Sequence, residues 1–155
     1  MAIKDKLVKD VLFQRLQPLA IAKYWNLIQQ CLLESLEGQK AAPGFLNRLM
    51  AGVQSGKIQV WSALATGDKP VLIGMVFTQV LTDAELGTSN LWIYGLSLRA
   101  QMSQESYAAC FSDIEAYAKS IGCQGVRAQT VKSGVKRLLE LNGYSNGAHT
   151  LMKEI

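Results

Sequence analysis

The sequence predicts a single domain of the α+β class, in which a mixed sheet lies between helices as an α/β/α sandwich. Three consecutive strand-type segments in the middle of the chain are typical of an antiparallel meander. A long amphipathic helix and another strand-type segment follow, and such a succession joins parallel strands through a right-handed crossover. The predicted order is β-α-α-β-β-β-α-β-α-β, and 155 residues with a hydrophobic fraction of 49% suffice for one core.

The composition excludes several functional classes. Charged residues make up 18% of the chain and the formal net charge is +4. This charge is too diffuse to indicate a nucleic-acid partner. No apolar run approaches the roughly 18 residues of a membrane span, so no membrane association is predicted.

The three cysteines, Cys31, Cys110 and Cys123, form no C-x-x-C pair. Their odd number and wide spacing argue against a disulfide framework and against a zinc site. The only histidine, His149, has no acidic or histidine partner at metal-ligand spacing, so no metal site is predicted. The cysteine usage favours a reducing, cytoplasmic location.

The first third of the chain predicts one strand and two helices. Residues 1–12 mix three lysines with two aspartates and have no continuous apolar stretch, so we interpret them as an N-terminal arm and not as a signal peptide. Residues 13–17 suit a short strand. Pro18 begins a helix with an apolar stripe that Gly38 ends, and a second helix extends from Pro43 to Gly56.

The middle of the chain predicts the meander. Residues 57–64 alternate apolar and polar, and the Gly-Asp-Lys-Pro turn at 67–70 separates them from a β-prone run at 71–81. A polar connection at 82–90 leads to residues 91–98. This third strand has almost no charge, which indicates a central position.

The last third of the chain contains the predicted crossover helix and the elements that follow it. Ser103 is a plausible N-cap for a helix that ends near Ile121, and residues 125–131 suit a buried strand parallel to 91–98. A helix at 133–142 and a closing strand at 147–155 complete the order.

Three motifs of the second half resemble those of a known family. Residues 135–144 read VKRLLELNGY, residues 117–123 read YAKSIGC, and residues 91–98 read LWIYGLSL. In order, they are similar to the penultimate helix, the end of the crossover helix and the fourth strand of GNAT-type acyl-CoA N-acyltransferases. The resemblance covers nearly the whole chain. The sequence is also similar to GNAT-like proteins of tailed bacteriophages, some of which are virion or assembly proteins.

The resemblance implies an acetyl-CoA site between the fourth and fifth strands. In that fold, a backbone N–H near Leu98 polarises the thioester carbonyl, a tyrosine protonates the thiolate, and a water acts as base. Tyr94 is the candidate acid, while Tyr144 suits a core position. The residues expected to line the cofactor site are Leu96, Ser97, Leu98, Met102, Ser103, Gln104 and Lys132.

The sequence departs from the family at the pyrophosphate loop. The family's R/Q-x-x-G-x-G/A motif is missing, because residues 98–106 read LRAQMSQES and contain no glycine. Glu105 adds negative charge there, and Leu139 stands where many members have tyrosine. We therefore expect acetyl-CoA or CoA to bind weakly or not at all. One hypothesis is an N-acetyltransferase acting on a small amine or a protein. The alternative is a non-catalytic binding or structural protein, such as a component of a phage virion or of its assembly.

Several residues keep two interpretations. Gly95 suits either a β-bulge that separates the central strands or a packing glycine. Ser103 suits either a helix cap or a cofactor contact. Lys132, Lys136 and Arg137 suit either an anion site or a solvated helix face.

The low charge content also predicts association with a second copy or another protein. Trp25, Trp61 and Trp92 add large apolar surface, and the free edge of the sheet suits a twofold dimer. The arm at 1–12 is predicted to lie on another subunit.

Overall fold

The computed structural model describes residues 7–36, 42–130, 132–146 and 153. Its centre is a five-stranded sheet in the order β1-β2-β3-β4-β5. Neighbours are antiparallel from β1 to β4, and β5 runs parallel to β4, which confirms the predicted meander and crossover. The strands are β1 (Val11–Arg15), β2 (Ile58–Ala65), β3 (Val71–Asp83), β4 (Thr88–Leu98) and β5 (Gly125–Ala128).

Helices cover both faces of this sheet and give the predicted three-layer α+β arrangement. They are α1 (Pro18–Lys23), α2 (Trp25–Ser35), α3 (Phe45–Ser55), α4 (Gln104–Ser120) and α5 (Ser133–Leu141). The first three helices pack on one face, where Ile28, Leu32 and Phe77 are fully buried. The last two pack on the other face around Leu91 and Ile114. Full burial of each such side chain contributes about 1.5–3 kcal/mol.

Two predicted boundaries differ from the structure. The helix that begins at Pro18 is divided at Tyr24, whose φ of −107° and ψ of 25° depart from helical values. The β3–β4 hairpin is longer than predicted, because Asp83 pairs with Thr88 and leaves only residues 84–87 as the turn. The polar side chains at 82–90 gave no apolar alternation, so the sequence did not indicate strand there.

The described part of the predicted N-terminal arm packs on its own domain. Residues 11 and 12 belong to β1, which begins two residues earlier than predicted. The Val8 N–H donates to the Gln101 carbonyl and the Ser103 N–H donates to the Val8 carbonyl, each at 2.9 Å. The prediction that this segment lies on another subunit is therefore wrong for residues 7–12.

Some predictions fall outside the described residues. These are residues 1–6 of the arm, the helix stop at Gly38, residue 131, His149, and nearly all of the strand at 147–155. A third difference lies within the described residues: the strand predicted at 125–131 ends at Ala128, because residues 129 and 130 do not pair with β4. No helix within the described ranges is long and apolar enough to cross a membrane.

Candidate functional site

A β-bulge interrupts β4 next to the central strand β3. Phe77 faces Gly95 and the next residue, Thr78, faces Ile93, so Tyr94 is the extra residue on β4. A bulge increases the local twist and redirects the strand that follows it. The structure therefore confirms a β-bulge at this place in β4, with Tyr94 as the extra residue and Gly95 directly after it.

Gly95 is also a packing glycine, so the two interpretations of this residue hold together. A Cβ atom at Gly95 would contact the Ser35 hydroxyl and would lie 2.9 Å from the Ser35 Cβ. Ser35 is fixed in turn, because its hydroxyl donates to the Leu32 carbonyl at 2.7 Å. The absence of a side chain at residue 95 lets α2 approach β4 directly.

Beyond the bulge, β4 and β5 separate. Their parallel register extends only from Asn90–Gly125 to Ile93–Ala128. The Arg99 N–H donates to the Ile73 carbonyl of β3 at 2.8 Å. Because successive amides of a strand alternate in direction, the amides of Leu98 and Leu96 point away from β3 and into the gap beside β5. No described residue accepts a hydrogen bond from either amide.

A cavity of about 70 Å³ occupies this gap and extends under α4 and α5. Apolar side chains from both helices line it, among them Phe111, Ile114 and Leu139. Ala128 and Thr130 bound it on the β5 side, and the exposed Lys132 also lines it. The gap thus combines two unpaired backbone donors with an apolar wall.

The loop before α4 is closed by the protein's own groups. The Met102 N–H donates to the Tyr107 hydroxyl at 3.3 Å, and the Ser103 N–H donates to the Val8 carbonyl. The Ser106 N–H donates to the Ser103 Oγ at 3.2 Å, which confirms the N-cap interpretation of Ser103. Three of the five amides between residues 102 and 106 are therefore occupied.

This loop does not fit a pyrophosphate. Anions bind helix N-termini through free backbone N–H groups that glycines leave accessible. The side chains of Gln101 and Tyr107 bond to each other across the loop, and Glu105 places a negative charge in the first turn. The loop therefore does not fit the adenosine diphosphate part of CoA.

A polar cluster lies on the opposite face of β4, at the end of α2. The Ser97 hydroxyl donates to Glu34 Oε2 at 2.8 Å, and Arg99 Nη2 lies 3.1 Å from Glu34 Oε1. Burial raises the pKa of the neighbouring Cys31 thiol, which keeps it protonated. Sequence reasoning missed Glu34, because nothing in the sequence pairs it with a serine 63 residues later.

The predicted cofactor-site residues divide into two groups. The residues that line the cavity are Tyr94, Leu96, Leu98, Met102 and Lys132. Tyr94 is 39% exposed, so solvent reaches it. The other three do not line it: Ser97 is bonded to Glu34, Ser103 caps α4, and Gln104 is exposed at the start of α4.

Two further ionisable groups near the cavity are neutral at ordinary pH. Burial raises the pKa of Cys110 to about 11, with the nearby Asp113 carboxylate adding to the shift. Burial also raises the pKa of Tyr144 well above its usual value, and its ring packs 5.6 Å from that of Phe111. Tyr144 is thus a core residue. No group of three His, Cys, Asp or Glu side chains within the described ranges could hold a metal ion.

Several solved acetyltransferases share this architecture. A ribosomal-protein-alanine N-acetyltransferase from Brucella melitensis biovar Abortus 2308 superposes with a TM-score of 0.65 at 11% identity, over 94% of this chain and 99% of that chain. An aminoglycoside acetyltransferase from an uncultured soil metagenomic sample, solved with sisomicin, gives 0.64 at 14% identity, over 94% and 95%. A GNAT family acetyltransferase from Staphylococcus aureus subsp. aureus gives 0.62 at 12%, over 94% and 99%.

The chain therefore has the GNAT-type acyl-CoA N-acyltransferase fold, as its motifs suggested. At these identities the likeness establishes the fold alone. No protein-family profile matches the sequence, and no curated protein matches it.

Proposed function

We propose that the protein is an N-acyltransferase that moves an acetyl or similar acyl group from a pantetheine thioester to an amine. The observation that carries this proposal is the gap between β4 and β5, into which the Leu96 and Leu98 amides point without an acceptor among the described residues. Such a pair of N–H groups offers hydrogen bonds to an extended ligand that lies beside β4 as an added strand.

The residues around the gap have separable roles. The Leu96 N–H, nearer to the bulge and to the paired end of the gap, donates to the thioester carbonyl oxygen and stabilises the negative charge that develops on it. The Leu98 N–H, nearer to the open end, holds the extended arm, and the apolar wall at Phe111 and Leu139 excludes water. Tyr94, at the bulge and open to solvent, supplies a proton to the departing thiolate.

The amine is proposed to approach from the α2 face. Glu34 is hydrogen-bonded to this part of β4 through Ser97 and Arg99. It accepts, directly or through water, the proton that the amine loses. The amine nitrogen forms the new C–N bond, the C–S bond breaks, and the products are an amide and a free thiol.

Thiol release from S-acetyl-pantetheine and acetyl-CoA, followed with a chromogenic disulfide, tests this proposal in the presence of lysine, spermidine or sisomicin. Leu96→Pro removes the proposed donor without breaking a β3–β4 hydrogen bond, since this amide faces the gap. Loss of one such donor lowers kcat by about 10²–10³-fold. Unchanged turnover in a variant with native circular dichroism would contradict the assignment.

Glu34→Gln tests the acceptor side separately. It retains a hydrogen-bond acceptor for Ser97 but removes the charge. We expect a lower kcat with the thioester KM unchanged. An unaltered kcat would assign proton removal to water alone.

The occupied loop before α4 favours a second candidate, a non-catalytic binding or structural protein that retains the fold, such as a phage virion or assembly component. This candidate predicts neither thiol release nor binding of any pantetheine compound. Calorimetry with pantetheine distinguishes the two, because only the transferase requires the gap to accept a ligand.

A further inference from the structure

The two parts of the region that would receive CoA differ in what they offer a ligand. In the gap, the amides of Leu96 and Leu98 have no acceptor within the part of the chain that the structure describes, and apolar side chains line a cavity beside them. At the loop, the amides of Met102, Ser103 and Ser106 are taken by a hydroxyl, a carbonyl and a cap oxygen of the same chain. A ligand must displace these partners before its pyrophosphate can bind.

The charges around the loop also disfavour a pyrophosphate. Glu105 lies in the first turn of α4, and the nearby cation Arg99 is already paired with Glu34. At the gap itself the charge is opposite, because the exposed Lys132 lines the cavity. One ammonium group suits one phosphate monoester or diester.

We infer that the acyl donor is a thioester of 4′-phosphopantetheine without the adenosine diphosphate of CoA, either free or attached to a carrier protein. This inference rests on the proposed function, since it concerns the donor of the same reaction. The pantetheine arm occupies the gap, its phosphate meets Lys132, and nothing needs to enter the loop before α4. The transfer is unchanged: the amine gains the acyl group, and the phosphopantetheine thiol leaves with a proton.

Calorimetry with pantetheine, 4′-phosphopantetheine and CoA tests the inference without requiring the acceptor. We expect 4′-phosphopantetheine and CoA to bind with dissociation constants within about threefold of each other, because the added nucleotide makes no contact. CoA binding more than about tenfold tighter would overturn the inference and leave the proposed function intact. Binding of none of the three would overturn both.

Two pairs of variants localise the contacts. Lys132→Gln is expected to weaken 4′-phosphopantetheine about tenfold, the effect of one charge-assisted hydrogen bond, and to leave pantetheine unchanged. Lys136→Gln, one turn later on α5 and also exposed, is the matched control and should change neither affinity. Equal effects of both variants would overturn the role of Lys132.

Glu105→Lys examines the loop directly. A pyrophosphate at the α4 N-terminus would gain affinity from this charge reversal, so CoA binding should strengthen only if the inference is wrong. Glu115→Lys, exposed on the same helix three turns away, controls for net charge. The affinities of the acetylated carrier protein and of free S-acetyl-4′-phosphopantetheine then distinguish the two sources of the donor. If the natural donor is attached to a carrier protein, the acetylated carrier protein binds more tightly than the free compound.

Discussion

Replacing Gly95 by alanine is expected to destabilise the domain by forcing apart β4 and α2. The new Cβ would lie 2.9 Å from the Ser35 Cβ and closer still to its hydroxyl. Rotation of the Ser35 side chain cannot relieve the first contact, because a Cβ atom is fixed to the backbone. Overpacking of this kind costs about 1–3 kcal/mol of unfolding free energy.

A double-mutant cycle in urea isolates this contact. Ser35→Gly removes both offending atoms at a cost of about 1 kcal/mol from the lost hydrogen bond and the helical glycine. In that background Gly95→Ala should cost less than about 0.5 kcal/mol, which gives a coupling of at least about 0.5 kcal/mol. Gly67→Ala, with open space at its Cβ, is the control. Equal costs of Gly95→Ala in both backgrounds would refute the reasoning.

Three further predictions concern buried groups and assembly. Thr78→Val should lower the unfolding free energy by about 1–3 kcal/mol in urea titrations, because the buried Trp61 Nε1 then loses the acceptor that lies 3.0 Å away. Thr78→Ser keeps that acceptor and should retain most of the stability. Burial raises the pKa of Cys110 from an ordinary 9.0 to about 11 in the folded protein. The stability that this thiol contributes is therefore complete below pH 9 and falls as the pH rises towards 11. A melting temperature that stays flat across this window in the wild type but not in Cys110→Ala would contradict this prediction. Self-association through the edge strand β1 stays a prediction, and light scattering should give a mass near twice that of the chain, while a monomer at high micromolar concentration would exclude it.

Features that depend on neighbouring residues in the sequence were predictable. Ser103 caps α4 as expected, since capping needs only an oxygen placed before the first turn. Gly143 adopts a φ of 91° after α5, a backbone conformation that favours glycine at a helix end. The parallel pairing of β4 and β5 followed from the handedness of crossovers.

Features that depend on the register between distant segments were not predictable. The contact of Val8 with the loop before α4 depends on where β1 begins and how α4 crosses it. The Glu34–Ser97 hydrogen bond depends on the end of α2 and on the direction of β4 after its bulge. Alternation alone could not assign Ser97 to a face, because the bulge shifts the pattern by one residue.

The separation of β4 from β5 helps to distinguish the two candidate functions. A domain with only a structural role would gain stability if β5 continued beside β4 and paired the amides of Leu96 and Leu98. Buried backbone donors without partners cost about 1–3 kcal/mol each, so an open gap is expensive wherever water does not reach it. The bulge at Tyr94 and the close packing of Gly95 on Ser35 keep the end of β4 turned away from β5. Extended pairing is thus prevented by specific residues, and this favours a protein that admits a ligand between the two strands.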